Sequence, residues 1–216
     1  MPIDEAPYAA LLAAHVTDGR VDYRGFAQDS AKLDAWLVTV ANAPADQPLG
    51  FWIDAYNALV IDAILDARVM PPKITDVAGF FDVVQHPMAG RSWTLNQAET
   101  YARKSWGDPR VHFALNCGAR SCPKLASTPY PDDVAALDAR LESATVAFLG
   151  TREGVFVDHE GRKIWVSKLF EWYAEDFKAG VPAFISDHTG DPSVKKAIAD
   201  GYALDYQGYN WIPNAR

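Results

Sequence analysis

Cysteine is scarce in this chain: its 216 residues include two, Cys117 and Cys122. That excludes a disulfide-dense scaffold and a four-thiolate zinc site. Clustered basic residues are also missing. Twenty Lys and Arg face 28 Asp and Glu, a formal net charge of −8, and Lys195-Lys196 is an isolated pair. Nucleic-acid phosphates need clustered cations, so the composition argues against nucleic acid as a partner. It equally disfavours an anionic membrane surface. The longest apolar run, Ala58 to Leu65, is interrupted by Asp62 and is too short to span a bilayer, so no membrane insertion is expected. No basic stretch leads into an apolar segment, and Met1 runs almost directly into a helical pattern. This suits either a cytoplasmic protein or a mature form whose leader has been removed. No Gly-rich phosphate loop, HExxH or GxSxG occurs, which leaves nucleotide, zinc-protease and serine-hydrolase readings unsupported. No cofactor and no metal are expected.

What is present is ordinary globular composition, 49% hydrophobic and 22% charged, in a length that suits one sizeable core. With no repeat, low-complexity tract or long linker, residues 1–216 read as a single domain. The first third is helical. Ser30 can cap a helix carrying Leu33, Trp36, Leu37 and Val40 on one face. Phe51 to Ala67 is apolar almost all round, which predicts a central buried helix. Asp54 and Asn57 lie within it, and buried polar groups of this kind are more often structural ties than parts of a site. Short β-like runs are expected at Phe80–Val84 and Arg91–Trp93, joined by residues 86–90, and a strand at Val111–Leu115. A helix near residue 95 has two capping registers, Thr94 with Gln97 or Asn96 with Glu99, and only the first frees the Glu99 carboxylate. An amphipathic helix at Asp132–Leu149 and a hairpin of Val155–Val157 with Lys163–Val166 come next. Helices at Lys168–Phe177, capped by Ser167, and at Pro192–Ala199 follow. The tail Tyr202–Asn214 is aromatic and extended. Helices first, then short strands mixed with helices, predict an α+β fold: a helical N-terminal part packed on a small, mostly antiparallel sheet.

The chemistry-bearing stretch is HFALNCGARSCPKL, from His112 to Leu125. The cysteines could close a six-residue disulfide loop, worth about 2 kcal/mol through the unfolded chain and needing an oxidising compartment. One of them could instead be a thiolate nucleophile, and metal binding is the weakest alternative. In a straight strand His112 and Cys117 would be about 16 Å apart and on opposite faces. A Cys–His pair therefore requires a chain reversal, for which Gly118 is suited. His112 fits a satisfied core histidine as well as a catalytic base. Arg120 fits either a pKa-lowering neighbour or a solvated loop charge. Lys168, Trp172, Tyr173 and Asp176, at helical spacing, fit a packed face with an ion pair.

The segments FWIDAYNALVIDAIL, WTLNQAE, DPRVHFALNCGARSCPKL and VSKLFEWYAEDF, in this order, resemble the family called domain of unknown function 547. A looser likeness continues at Asp205-Tyr206 and Asn210-Trp211, so the resemblance spans most of the chain. It implies an uncharacterised family whose bacterial members are commonly exported, hence a periplasmic or otherwise extracytoplasmic location, with a cytoplasmic one as the alternative. The positions that match family motifs include Asn57, Glu99, His112, Cys117, Cys122, Lys168, Trp172, Tyr173 and Asp176. Two depart: Asp54 stands where Asn is usual, and Thr100 where His is frequent. If that second His were the family's general base, the work here would fall on His112.

Residues and resemblance together lead to the expectation of a thiol-dependent hydrolase or acyl-transfer enzyme of papain or transglutaminase type. Cys117 or Cys122 would attack an acyl carbon of a small-molecule or peptide substrate, His112 would shuttle the proton, and Glu99 would orient the imidazole. The rival is a non-catalytic extracytoplasmic binding or scaffold module with a Cys117–Cys122 disulfide. Nothing in the sequence specifies an oligomeric state. A disulfide predicts a two-proton rise in intact mass on reduction, and iodoacetamide labelling of both thiols only after it; an unchanged mass would exclude the bond.

Overall fold

The apolar girth of residues 49–66 decides the centre of the fold. A computed structural model of the chain describes residues 3–67 and 70–216. The chain enters through α1 (Ala6–His15), a short hairpin of β1 (Val16–Thr17) and β2 (Arg20–Val21), α2 (Tyr23–Gln28) and α3 (Ser30–Asn42). These helices surround α4 (Leu49–Asp66), in which every residue except Asp62, Leu65 and Asp66 is buried. Helix α3 turns Leu33, Trp36 and Val40 inward, as the spacing predicts. Its N-cap is Asp29 rather than Ser30, and the Asp29 carboxylate is engaged by His15 Nε2 at 2.8 Å and Lys32 Nζ at 2.8 Å.

The two buried polar residues of α4 tie loops to it. Asn57 Nδ2 donates to the Ala114 carbonyl at 3.0 Å, and Asn57 Oδ1 accepts from the Asn116 amide at 2.7 Å. Asp54 Oδ2 accepts from the Tyr130 amide at 2.8 Å. Burial drives the Asp54 carboxyl well above the usual carboxylate range, and the nearby Glu5 and Asp132 carboxylates add to the rise. A protonated Asp, like Asn, can both accept and donate a hydrogen bond.

Beyond α4 the expected strand at Phe80–Val84 is absent. The Val83 and Val84 amides both return to the Gly79 carbonyl at 3.0 Å, which closes a tight turn and leaves no extended edge to pair. The hairpin forms instead from β3 (His86–Met88) and β4 (Arg91–Trp93), so the segment expected to be a connection supplies one of its strands. Helix α5 (Leu95–Trp106) takes the Thr94–Gln97 capping box, with Gln97 N to Thr94 Oγ1 at 3.2 Å and Thr94 N to Gln97 Oε1 at 2.9 Å.

The second half contains α6 (Val134–Leu149), the antiparallel pair β5 (Val155–Asp158) and β6 (Lys163–Val166), and α7 (Leu169–Trp172). A 3-10 turn at Ala174–Asp176 follows α7, with Ser167 Oγ accepting from the Leu169 amide at 3.3 Å. Then come α8 (Val181–His188), α9 (Pro192–Ala199) and β7 (Ala203–Tyr206), which adds to β6 in parallel. The class is α+β, with the strands divided among three small sheets. The sequence reading lacked α8 and the parallel pairing of β7. The apolar side chains gather in two clusters, one around α4 and one around α8, α9 and the β5–β6–β7 sheet.

Because burial raises the Asp54 carboxyl in the fold while it ionises near the ordinary value when unfolded, stability should fall as pH rises from about 4. Asp54→Asn is expected to remove that loss, so its urea midpoint should exceed that of the unmodified chain at pH 8 and approach it at pH 4.

Candidate active site between the two cores

Pro109–Phe113 is a 3-10 helix, not the expected strand. Pro109 presets the first turn, and Asp108 caps it through Oδ1, which accepts from the Arg110 amide at 2.9 Å. The Arg110 guanidinium then reaches Asp138 (2.6 Å) and Glu142 (3.4 Å) on α6 and fixes the turn to that helix. With about three residues per turn, successive side chains point roughly 120° apart. Val111 enters the α4 cluster and Phe113 the α8 cluster, while His112 faces the seam between them. The strand-based separation of His112 from Cys117 does not apply to this geometry.

His112 is 3% exposed and lies against the rings of Tyr173 (centroids 4.4 Å apart) and Phe177 (5.7 Å). Its Nε2 is 2.9 Å from Asp176 Oδ2. The same oxygen accepts from Arg103 Nε at 2.8 Å and Nη2 at 2.6 Å, and Oδ1 accepts from Lys104 Nζ at 2.9 Å. Burial by itself would raise the Asp176 carboxyl, but its hydrogen bonds from Lys104, Arg103 and His112 overcome that and hold it below the usual range. An ionised Asp176 only accepts, which assigns the imidazole proton to Nε2 and leaves the lone pair on Nδ1. Nδ1 has no hydrogen-bond partner among the described residues. Burial lowers the imidazole to about 4, against the opposing pull of Asp176, so His112 is neutral at pH 7.

His112 lines a cavity of about 170 Å³. Glu99 lines it too, one turn before Arg103 on α5, where the Thr94–Gln97 cap leaves its carboxyl unengaged by the helix terminus. Burial raises the Glu99 carboxyl, with the Tyr173 hydroxyl and Arg103 opposing, so it keeps its proton to higher pH than a solvated glutamate. Trp172, Tyr209 and Trp211 form one wall, with ring centroids 4.7 to 5.7 Å apart. Thr100, where the resembling family often has His, is exposed and outside this lining.

Cys117 and Cys122 also line the cavity, as a disulfide with Cα atoms 6.2 Å apart. The reversal expected near Gly118 is present. Its φ is +81°, a conformation that favours glycine, and a Cβ there would sit 2.6 Å from Ile64 Cδ1 and push that side chain aside. Asn116 locks the loop: its Nδ2 donates to the Pro123 carbonyl at 2.7 Å and its Oδ1 accepts from the Gly118 amide at 2.9 Å. The Tyr209 hydroxyl lies 3.3 Å from Cys117 Sγ and 3.2 Å from Cys122 Sγ.

All four expected site residues, Glu99, His112, Cys117 and Cys122, thus meet in one cavity. Sequence reasoning missed Arg103, Tyr56 and Tyr209, and treated Asp176 and Tyr173 as a packed face with an ion pair. The ion pair exists, but its carboxylate also holds His112. The i, i+4 spacing of Glu99 and Arg103 was an available signal for Arg103; nothing local marked Tyr209. Among the described residues no three His, Cys, Asp or Glu side chains gather as metal ligands. No helix among them is long and apolar enough to cross a membrane.

The model of the family described as "Protein of unknown function, DUF547" matches residues 40–149. This chain belongs to that family. The matched span runs from the end of α3 to the end of α6 and holds Glu99, His112 and both cysteines. Asp176 and Tyr209 lie beyond it. No curated protein and no solved structure matches the chain.

A buried neutral imidazole predicts stability that is full above the unfolded-state value of about 6.5 and lost as pH falls towards about 4. Guanidinium unfolding at pH 7 and pH 4.5 should therefore show a smaller acid loss in His112→Gln than in the unmodified chain. Asp176→Asn should cost about 2 kcal/mol or more at pH 7, because buried Arg103 is left with only the exposed Glu175 carboxylate, 3.7 Å away.

Proposed function

We propose that the cavity is the active site of a hydrolytic or acyl-transfer enzyme acting on a small molecule or a peptide terminus by general acid–base chemistry. The supporting observation is the Asp176–His112 pair, whose imidazole lines the same cavity as Glu99, a carboxyl raised by burial. Asp176, kept ionised by Arg103 and Lys104, is a positioning residue that fixes the imidazole tautomer. Nδ1 takes the proton of an attacking water, Asp176 offsets the imidazolium charge as it develops, and Glu99, whose carboxyl is raised by burial, is the proton donor to the leaving group. The aromatic wall binds the apolar part of the substrate and excludes bulk water. The disulfide holds the cavity floor, and it supports an extracytoplasmic, oxidising location.

A second reading keeps a thiol as nucleophile. It is favoured by one observation, that both sulfurs share the cavity with His112. It requires prior reduction, since a bonded sulfur carries no thiolate.

A panel of small chromogenic esters and thioesters, assayed on the disulfide-intact chain, separates the readings. Turnover should resist iodoacetamide without reductant, fall by roughly 10²-fold or more in His112→Gln and Glu99→Gln, and decline below about pH 4–5 as His112 protonates. Turnover that appears only after reduction and is abolished by alkylation supports the thiol. Equal rates in His112→Gln and the unmodified chain overturn both.

A further inference from the structure

The Cys122–Pro123 segment lines a second cavity on its other side, about 330 Å³ in volume. Its floor is apolar, with Phe113, Leu125, Tyr130 and Phe148. Its charge runs against the rest of the chain. Acidic residues outnumber basic ones 28 to 20 overall, but this cleft is lined by four basic residues, Arg20, Arg120, Lys124 and Arg140, and two acidic ones, Asp18 and Glu153.

Lys124 is spoken for by Asp18, with which it forms an ion pair. Among the described residues, Arg20, Arg120 and Arg140 have no ion-pair partner. The Arg140 guanidinium donates to Thr128 Oγ1 at 3.0 Å and stands 5.5 Å from the Tyr130 ring centroid. The buried Asp54 carboxyl interacts with it through space but makes no ion pair, and burial raises that carboxyl well above the usual range. The Arg120 backbone is pinned, its amide donating to the Ile212 carbonyl at 2.8 Å, so its side chain starts from a fixed point on the rim. Arginines left without carboxylates in a chain of net charge −8, around an apolar floor, form a receptor for anionic oxygens carried on an apolar body.

We propose that this cleft is a binding site for a small organic anion. Its carboxylate or phosphate is held by Arg120 and Arg140, and its aryl or acyl body lies on Phe113 and Phe148. The site is separate from the His112 cavity and does not depend on the catalytic reading. Its occupant would press on the back of the disulfide segment, which forms a wall of both cavities.

The test is a calorimetric and amide-shift titration of the full, disulfide-intact chain with phenyl phosphate and with benzoate, using phenol and inorganic phosphate as controls. The expected result is saturable binding of at least one aryl anion, tighter than either control. It should weaken roughly tenfold or more in Arg120→Gln/Arg140→Gln, a double variant of rim side chains that should keep the unmodified melting temperature. Binding should be unchanged in His112→Gln, which distinguishes this cleft from the other cavity. Which of the two anions binds more tightly identifies carboxylate or phosphate as the preferred group. Three outcomes overturn the proposal: no aryl anion binding up to about 10 mM, phenol binding as tightly as phenyl phosphate, or equal affinity in the double variant.

Discussion

A buried imidazole and a buried guanidinium share one carboxylate oxygen, and much of the architecture follows from keeping that arrangement satisfied. Asp176 Oδ2 receives both His112 and Arg103. These groups come from three elements: a 3-10 turn, helix α5 and the turn after α7. None of the elements can shift without leaving a charge or a ring nitrogen unpaired at low dielectric, which costs more than the pairing contributes. The linkage spans the seam between the two apolar clusters, so it fixes their relative position where the cavity opens. Stability and site geometry therefore depend on the same few bonds.

The disulfide loop plays a related part on the cavity floor. Gly118 allows the reversal, Asn116 locks it from within, and the tail closes over it through the Arg120 amide and the Asn214 side chain, which donates to Asn116 Oδ1 at 3.1 Å. The same tail places Tyr209 over both sulfurs and Trp211 in the wall. A small covalent loop thus becomes a rigid partition with a cavity on each side: one apolar and aromatic with a His and a carboxyl, the other rimmed by arginines. The charge contrast between the two cavities suits ligands of different chemistry.

Asp54 is a buried carboxyl with a structural task. Burial raises its carboxyl well above the usual range, and one of its oxygens accepts from the Tyr130 amide. The tie to the Tyr130 amide thus carries a dependence on pH that an amide side chain would lack. Thr100 is exposed and does not line the cavity that holds His112 and Glu99.

Local rules made part of this legible. The all-round apolarity of residues 51–67 fixed the central helix, Thr94 and Gln97 marked the start of α5, and Gly118 marked the reversal between two cysteines, because each depends on near neighbours in the chain. Val111-His112-Phe113 misled for a physical reason. Alternating apolar and polar residues fit a strand with one buried face, and they fit equally a 3-10 turn wedged between two cores. The sequence by itself determined the α+β class, the buried helix and the stretch where the cysteines and His112 meet. Only the tertiary structure decided what His112 is bonded to there. Its partners Asp176 and Tyr173 lie more than sixty residues along the chain, and which ring nitrogen remains free depends on a carboxylate that packing alone brings to it.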